Sequence, residues 1–130
     1  MRFRADRGCG IFAALWLAAL LAASSPSAQE VRLLVQSSPL AGFRYHEAAA
    51  VFPELRLGDR LELAREPENV HDANAVRVQW HGRKLGYVPR SQNSALAWAM
   101  DRGETVTARV SSLARHRNSR KRIQFEVYVE

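Results

Sequence analysis

Apolar residues in this chain recur at every second position over short runs, and glycine, proline or serine stops nearly every run. That period puts alternate side chains on opposite faces of an extended backbone, the pattern of a half-buried strand and not of a helix. The runs are Val31 to Gln36; Leu61, Leu63 and Ala64; Ala75, Val76, Val78 and Trp80; Lys84 to Val88; Glu104 to Leu113 through Val106, Ala108 and Val110; and Lys121 to Val129 through Ile123, Phe125, Val127 and Val129. Ser37, Ser38 and Pro39 end the first, and Pro89 ends the fourth while biasing Val88 to an extended conformation. His81 and Gly82 read as a tight hairpin, with Gly82 free to take a positive φ. Gly42 to Val51 is ambiguous: FRYH has strand character, whereas EAAAV can begin a short helix that Pro53 stops. Ser91 to Met100 changes period, with Leu96, Ala99 and Met100 at helical spacing, Ser91 or Asn93 placed to cap, and Gly103 placed to end it. Trp98 is expected to pack that helix on the sheet. The fold expected is mainly β: about six short strands with one or two short helices, as a small, highly curved sheet or barrel. Closure would also remove exposed strand edges.

The first residues do not fit that pattern. Arg2, Arg4 and Arg7 precede an uncharged, mostly apolar run from Gly10 to Ala23, and small residues follow from Ser24 to Ala28. This is the order of a secretory signal peptide, and the run is short of the roughly 20 residues that span a bilayer. Residues 1–28 are therefore expected to be cleaved, with Pro26 leaving the cut point open, and residues 29–130 to form one exported domain, periplasmic or secreted. The only cysteine, Cys9, goes with the leader, so the core must hold the domain without a disulfide. The remaining net charge is +4, compatible with nucleic acid, with anionic surface polymers, or with solubility alone.

Two polar stretches stand out between the strands. REPENVHDANAV, residues 65–76, places five ionisable side chains where a hairpin needs only two residues. It is either a long solvated connection or one wall of a site. Asp72 and Asn74 can serve simply as caps for backbone N–H groups, and Glu66, beside Pro67, can pair with Arg65 or Arg90. ARHRNSRKR, residues 114–122, holds Arg115, Arg117, Arg120, Lys121 and Arg122 with no acid. It reads as a solvated, mobile surface or as a nonspecific phosphate rail, and charge alone gives it no base specificity.

Read together, GDRLELAREPENVHDANAVRV and GRKLGYVPRSQNSALAWAM resemble the HIRAN domain, with Gly-Asp before a strand, Arg-Glu-Pro, Asn-x-x-Asp-x-Asn-Ala and Gly-Tyr-x-Pro-Arg in order. The resemblance covers about Gly42 to Val129 and implies a modified oligonucleotide-binding barrel, in agreement with the strands and helix read from the residues. It also implies a grip on the 3′ end of single-stranded DNA, as in a eukaryotic member of the family. By that resemblance Arg44 and Tyr45 contact terminal phosphate and base, Asn69 and Asp72 surround the 3′-hydroxyl, and Arg90 lies near the backbone. His71 stands where that member has a tyrosine, and Tyr87 where it has a histidine, so each position keeps a ring and a polar atom.

These residues suit the chemistry. Guanidinium groups hold phosphates, rings stack under bases, and a carboxylate at Asp72 accepts a hydrogen bond from a free 3′-hydroxyl but repels a following phosphate. Arg115, Arg117, Arg120, Lys121 and Arg122 would add nonspecific phosphate contact. No cofactor or metal is expected: His46, His71, His81 and His116 form no recognised nucleophile or metal motif, and zinc on His46, His71 and Asp72 would need folding to bring them together. The reading is a binding module for single-stranded DNA at free 3′ ends. A non-enzymatic envelope protein holding a peptide or anionic glycan, and a diverged metal-dependent nuclease, are the alternatives.

Overall fold

The computed structural model describes residues 33–130. The expected leader, residues 1–28, and the beginning of the expected first strand lie outside them. Six strands form: β1 Leu33–Pro39, β2 Arg60–Arg65, β3 Val76–Trp80, β4 Arg83–Tyr87, β5 Val106–Leu113 and β6 Ile123–Val129. Two helices accompany them, α1 Ala48–Val51 and α2 Ser94–Asp101. All pairings are antiparallel, in the order β1-β6-β5-β2-β3-β4.

The sheet is open, which corrects the expected barrel: its ladder ends at β1 on one side and β4 on the other. Only an isolated bridge spans the gap, where Ala41 and Tyr87 exchange two backbone hydrogen bonds of 2.9 Å. Gly42 then takes φ 80° and the chain curls into a 3-10 turn, Phe43–Tyr45. The FRYH segment, given strand character from its sequence, is this turn, and the backbone next meets β4 where Glu47 N–H donates to Lys84 O at 2.9 Å. Gly86 is required at the bridge, because a Cβ there would sit 2.2 Å from the Ala41 carbonyl oxygen.

The alternating residues fill the core as their period requires. Leu61, Val76, Val78, Leu85, Ala108, Val110, Ile123, Phe125 and Val127 are buried on the inner face, and Leu40, Phe43, Val51, Leu55 and Leu96 cover them. Each large apolar side chain so buried contributes about 1.5–3 kcal/mol. β1 runs on through Ser37 to Pro39 because Ser38 is satisfied inside: its hydroxyl donates to Gln92 Oε1 at 2.6 Å. At the β3–β4 turn His81 (φ 48°) and Gly82 (φ 78°) both lie in the left-handed region, as the tight hairpin predicts.

In α2 the small side chains Ala97 and Ala99 flank Leu96 on the buried side. Trp98, expected to pack on the sheet, is 69% exposed, because the helical period turns it directly away from Leu96 and Met100. Asn93 stands at the start of α2 but makes no cap there. Gly103 at φ 89° ends the helix, with Glu104 N–H donating to Ala99 O and Gly103 N–H to Met100 O.

Candidate nucleic-acid interface

The long connection between β2 and β3 is a chain of turns rather than a loose loop. Arg65 pins its ends: Nε and Nη2 grip the Asp101 carboxylate at 3.0 and 3.2 Å, and Nη1 donates to Ala75 O at 2.9 Å. Inside, Asn69 Oδ1 accepts from His71 N–H at 2.8 Å and Asp72 N–H at 3.2 Å, and Asp72 Oδ1 accepts from Asn74 N–H at 2.9 Å. Asn69 and Asp72 thus shape the backbone, whatever else they contact.

Glu66 ties this loop to the sheet. Its carboxylate accepts from Arg77 at 2.7 Å, Tyr87 Oη at 2.9 Å and Asn69 Nδ2 at 3.1 Å, in place of the expected partners Arg65 and Arg90. Burial alone would raise its pKa, but the three donors outweigh burial and hold it below the usual value. Lys84 Nζ donates to Tyr87 Oη at 2.6 Å and lies 4.5 Å from the ring centre. Tyr87 is therefore fixed from below by an acid and an amine. Lys84 and Tyr87 reach the same side because the register shifts opposite Val78 and Gln79, leaving Leu85 as an extra residue in β4. The His46 ring meets Tyr87 edge-to-face at 5.5 Å. Burial, then the nearby Lys84 charge, lowers the His46 pKa.

Between the loop, the Ala41–His46 segment, β4 and the start of α2 lies a cavity of about 540 Å³. It brings together Tyr45, Asn69, His71, Asp72, Tyr87 and Arg90, six of the seven residues expected at an end-binding site. Arg44 is the exception. It lines a smaller recess on the other side of the same turn, facing Asn118 and Arg120. Asp72 Oδ2 accepts from Asn93 Nδ2 at 2.7 Å and lies 3.6 Å from Arg90 Nε, while Arg90 Nη2 donates to His71 O. The Asn74 N–H and the Asn93 amide, with Arg90 adding to them, hold the Asp72 carboxyl below its usual range. A carboxylate has about four acceptor sites, and hydrogen bonds occupy two of them here. Tyr45, 82% exposed, leaves its ring free at the mouth, and Val70, 90% exposed, stands beside His71.

Sequence reasoning missed His46, Asn93, Glu66 and Lys84 as parts of this site. His46 adjoins Tyr45 and was within reach of the pattern. Asn93 looked like a helix cap, and the role of Lys84 depends on a bulge that no spacing announces.

The basic connection departs from expectation too. It is a built turn: Ala114 N–H donates to Arg122 O, Asn118 Oδ1 accepts from Arg120 N–H at 2.9 Å, and Arg122 Nε donates to His116 O at 2.7 Å. Arg115, Arg117, Arg120 and Lys121 remain exposed, and among the described residues none of them is ion-paired to a carboxylate. Nor does any group of three or more His, Cys, Asp or Glu among the described residues stand where it could hold a metal ion.

Comparison with known proteins bears on the family and the fold. The model of the HIRAN domain matches residues 33–130. A crystal structure of a protein from Lactobacillus plantarum is similar at 28% identity and TM-score 0.67, over 76% of this chain and 95% of that one. The HIRAN domain of human HLTF shares the fold at TM-score 0.59 and 22% identity, over 75% of this chain and 78% of that one. A rice (Oryza sativa subsp. japonica) Fanconi-associated nuclease 1 homolog is 34% identical over 73 residues, 53% of this chain but only 7% of that protein's length. The chain belongs to the HIRAN domain family, and that membership supports a nucleic-acid-binding role.

Proposed function

We propose that the domain binds single-stranded DNA and holds its free 3′ end in the cavity between Tyr45, Tyr87 and Asp72. The observation that carries this reading is the convergence of free ring, fixed ring and partly unsatisfied carboxylate on one cavity of about 540 Å³. The terminal base stacks on Tyr45, with His71 beside it. The 3′-hydroxyl donates to Asp72, and Arg90 takes the adjoining phosphate. Arg44 lies on the path of the strand out of the cavity. An internal nucleotide fits poorly, because its next phosphate would face the Asp72 carboxylate. The order of charged, apolar and small residues at the N-terminus supports export, so the DNA met would be extracellular or imported.

Export equally favours a second reading, in which the same cavity accepts an envelope peptide or anionic glycan. Fluorescence anisotropy at low salt with oligonucleotides ending in a free 3′-hydroxyl or a 3′-phosphate separates the two. Tighter binding of the free end supports the proposal. Binding of neither, together with retention on purified envelope polymers, replaces it with the second reading.

A further inference from the structure

On the far side of the Phe43–Tyr45 turn lies a second cavity, about 400 Å³, within the roughly 300–1,000 Å³ typical of small-molecule sites. Its floor is apolar and largely aromatic. Phe43 and Phe52 meet edge-to-face at 5.9 Å, and Ala49 and Pro53 complete the surface. The rim is cationic, formed by Arg115, Arg117 and Arg122. We propose that this cavity is a second nucleotide site, taking the base of a nucleoside phosphate against Phe52 and Pro53, with the buried Phe43 beneath them, and its phosphate between Arg115 and Arg117.

Three observations carry the assignment. First, the connection that carries the cations is folded on itself. Arg122 donates through Nε to His116 O, its guanidinium carbon lies 5.0 Å from the Phe43 ring centre, and the 3-10 turn Ser119–Lys121 is capped by Asn118. Arg122 so placed makes one wall of the cavity and cannot follow a passing phosphate, which leaves that task to its neighbours. Second, Arg115 and Arg117 have no carboxylate partner among the described residues. A cluster of like charges held together without counter-charge favours an anion. Third, inorganic phosphate needs no apolar floor, whereas a base does, since a planar ring gains from aromatic and guanidinium faces. Aromatic floor with cationic rim is the pairing that a nucleotide needs and that a bare anion leaves half unused.

The choice of nucleotide as the ligand rests on the nucleic-acid-binding reading, but the site is physically separate from the end-binding cavity. Of the residues named here only Phe43 belongs to the turn that divides them, and its ring faces this side. The test is amide NMR on the full-length protein titrated with thymidine monophosphate, with thymidine and with inorganic phosphate, in the natural protein and in Tyr45→Ala. Thymidine monophosphate is expected to shift signals from Ala49 to Phe52 together with those from Arg115 to Arg122, several-fold more tightly than either fragment, and equally in Tyr45→Ala. The double variant Arg115→Glu, Arg117→Glu, which touches only exposed side chains, should abolish those shifts while the end cavity still responds. Equal affinity for inorganic phosphate and nucleotide overturns the proposal, as does the absence of any shift around Phe52. Failure of the end cavity alone leaves the Phe52 signals moving and refutes the first reading without touching this one.

Discussion

The loop 66–75 and the connection 114–122 are both dense in charge, and they use it in opposite ways. In the first, every acid and amide at the cavity has protein partners: Glu66 takes three donors, Asp72 two, and Asn69 both donates and accepts. In the second, backbone groups are bonded within the turn, and Arg115, Arg117 and Arg120 are exposed with no carboxylate partner among the described residues. A charge fixed by partners positions a ligand and discriminates between ligands. A charge left without partners attracts any anion and is screened by salt. The two regions therefore divide the work of selecting an end and of gathering a chain, and variants can separate them.

The sharpest separation comes from Asp72→Asn. The amide oxygen can still serve the turn with Asn74, but the charge that favours a hydroxyl donor is gone. A hydrogen bond to a charged group is worth about 1.5–3 kcal/mol, so the preference for free over blocked ends should fall tenfold or more in parallel titrations. Overall attraction at low salt should change little. Replacing Arg115, Arg117 and Arg120 with alanine should do the reverse. Affinity falls for every end, and the slope of log affinity against log salt decreases by about 2, at roughly 0.7 for each single-strand phosphate that is no longer neutralised. Were end preference to vanish with those arginines, the division of labour would be wrong.

Glu66→Gln tests whether the acid beneath the cavity acts through its neighbours. It removes the charged partner of Arg77 and loosens Tyr87 and Asn69, at a cost of about 1–2 kcal/mol in urea unfolding. End preference should weaken with no change in salt slope. Acidification probes the same network. Burial and Lys84 lower the pKa of His46, so the folded state resists its protonation; that contribution is intact above about pH 6.5 and declines as pH falls toward the lower folded value. Glu66 and Asp72 are depressed carboxylates, so their contribution is complete above about pH 5 and is lost as pH falls through their lower folded values. Urea midpoints should thus drop in two stages, and His46→Asn should remove the earlier one. The smallest effect belongs to Trp98→Ala, which leaves an exposed helix face and should shift stability by less than about 0.5 kcal/mol.

Much of the scaffold was legible because its physics is local. Alternation at Val106, Ala108 and Val110 and at Ile123, Phe125 and Val127 named strands and core together, and Gly82 and Gly103 marked real chain reversals. Closure was not legible, since it turns on Gly42 swinging the chain away after a single bridge at Ala41. The bulge that brings Lys84 beside Tyr87 and the third partner of Glu66, Arg77, are likewise products of tertiary register. The ionisable residues of the site were visible as types, but their pairings were not, because each pairing joins segments far apart in the chain. Trp98 shows the same limit in reverse: its size suggested a core role that the helical phase denies it.

The central claim is that fixed groups around Asp72, and not the surrounding positive charge, choose the end. The direct measurement compares an oligonucleotide carrying a free 3′-hydroxyl with one carrying a 3′-methoxy group, identical in charge, at low and at moderate salt. Both affinities should fall as salt rises while the ratio between them stays constant and well above one. A ratio of one at low salt, or a ratio that collapses as salt increases, would contradict the account.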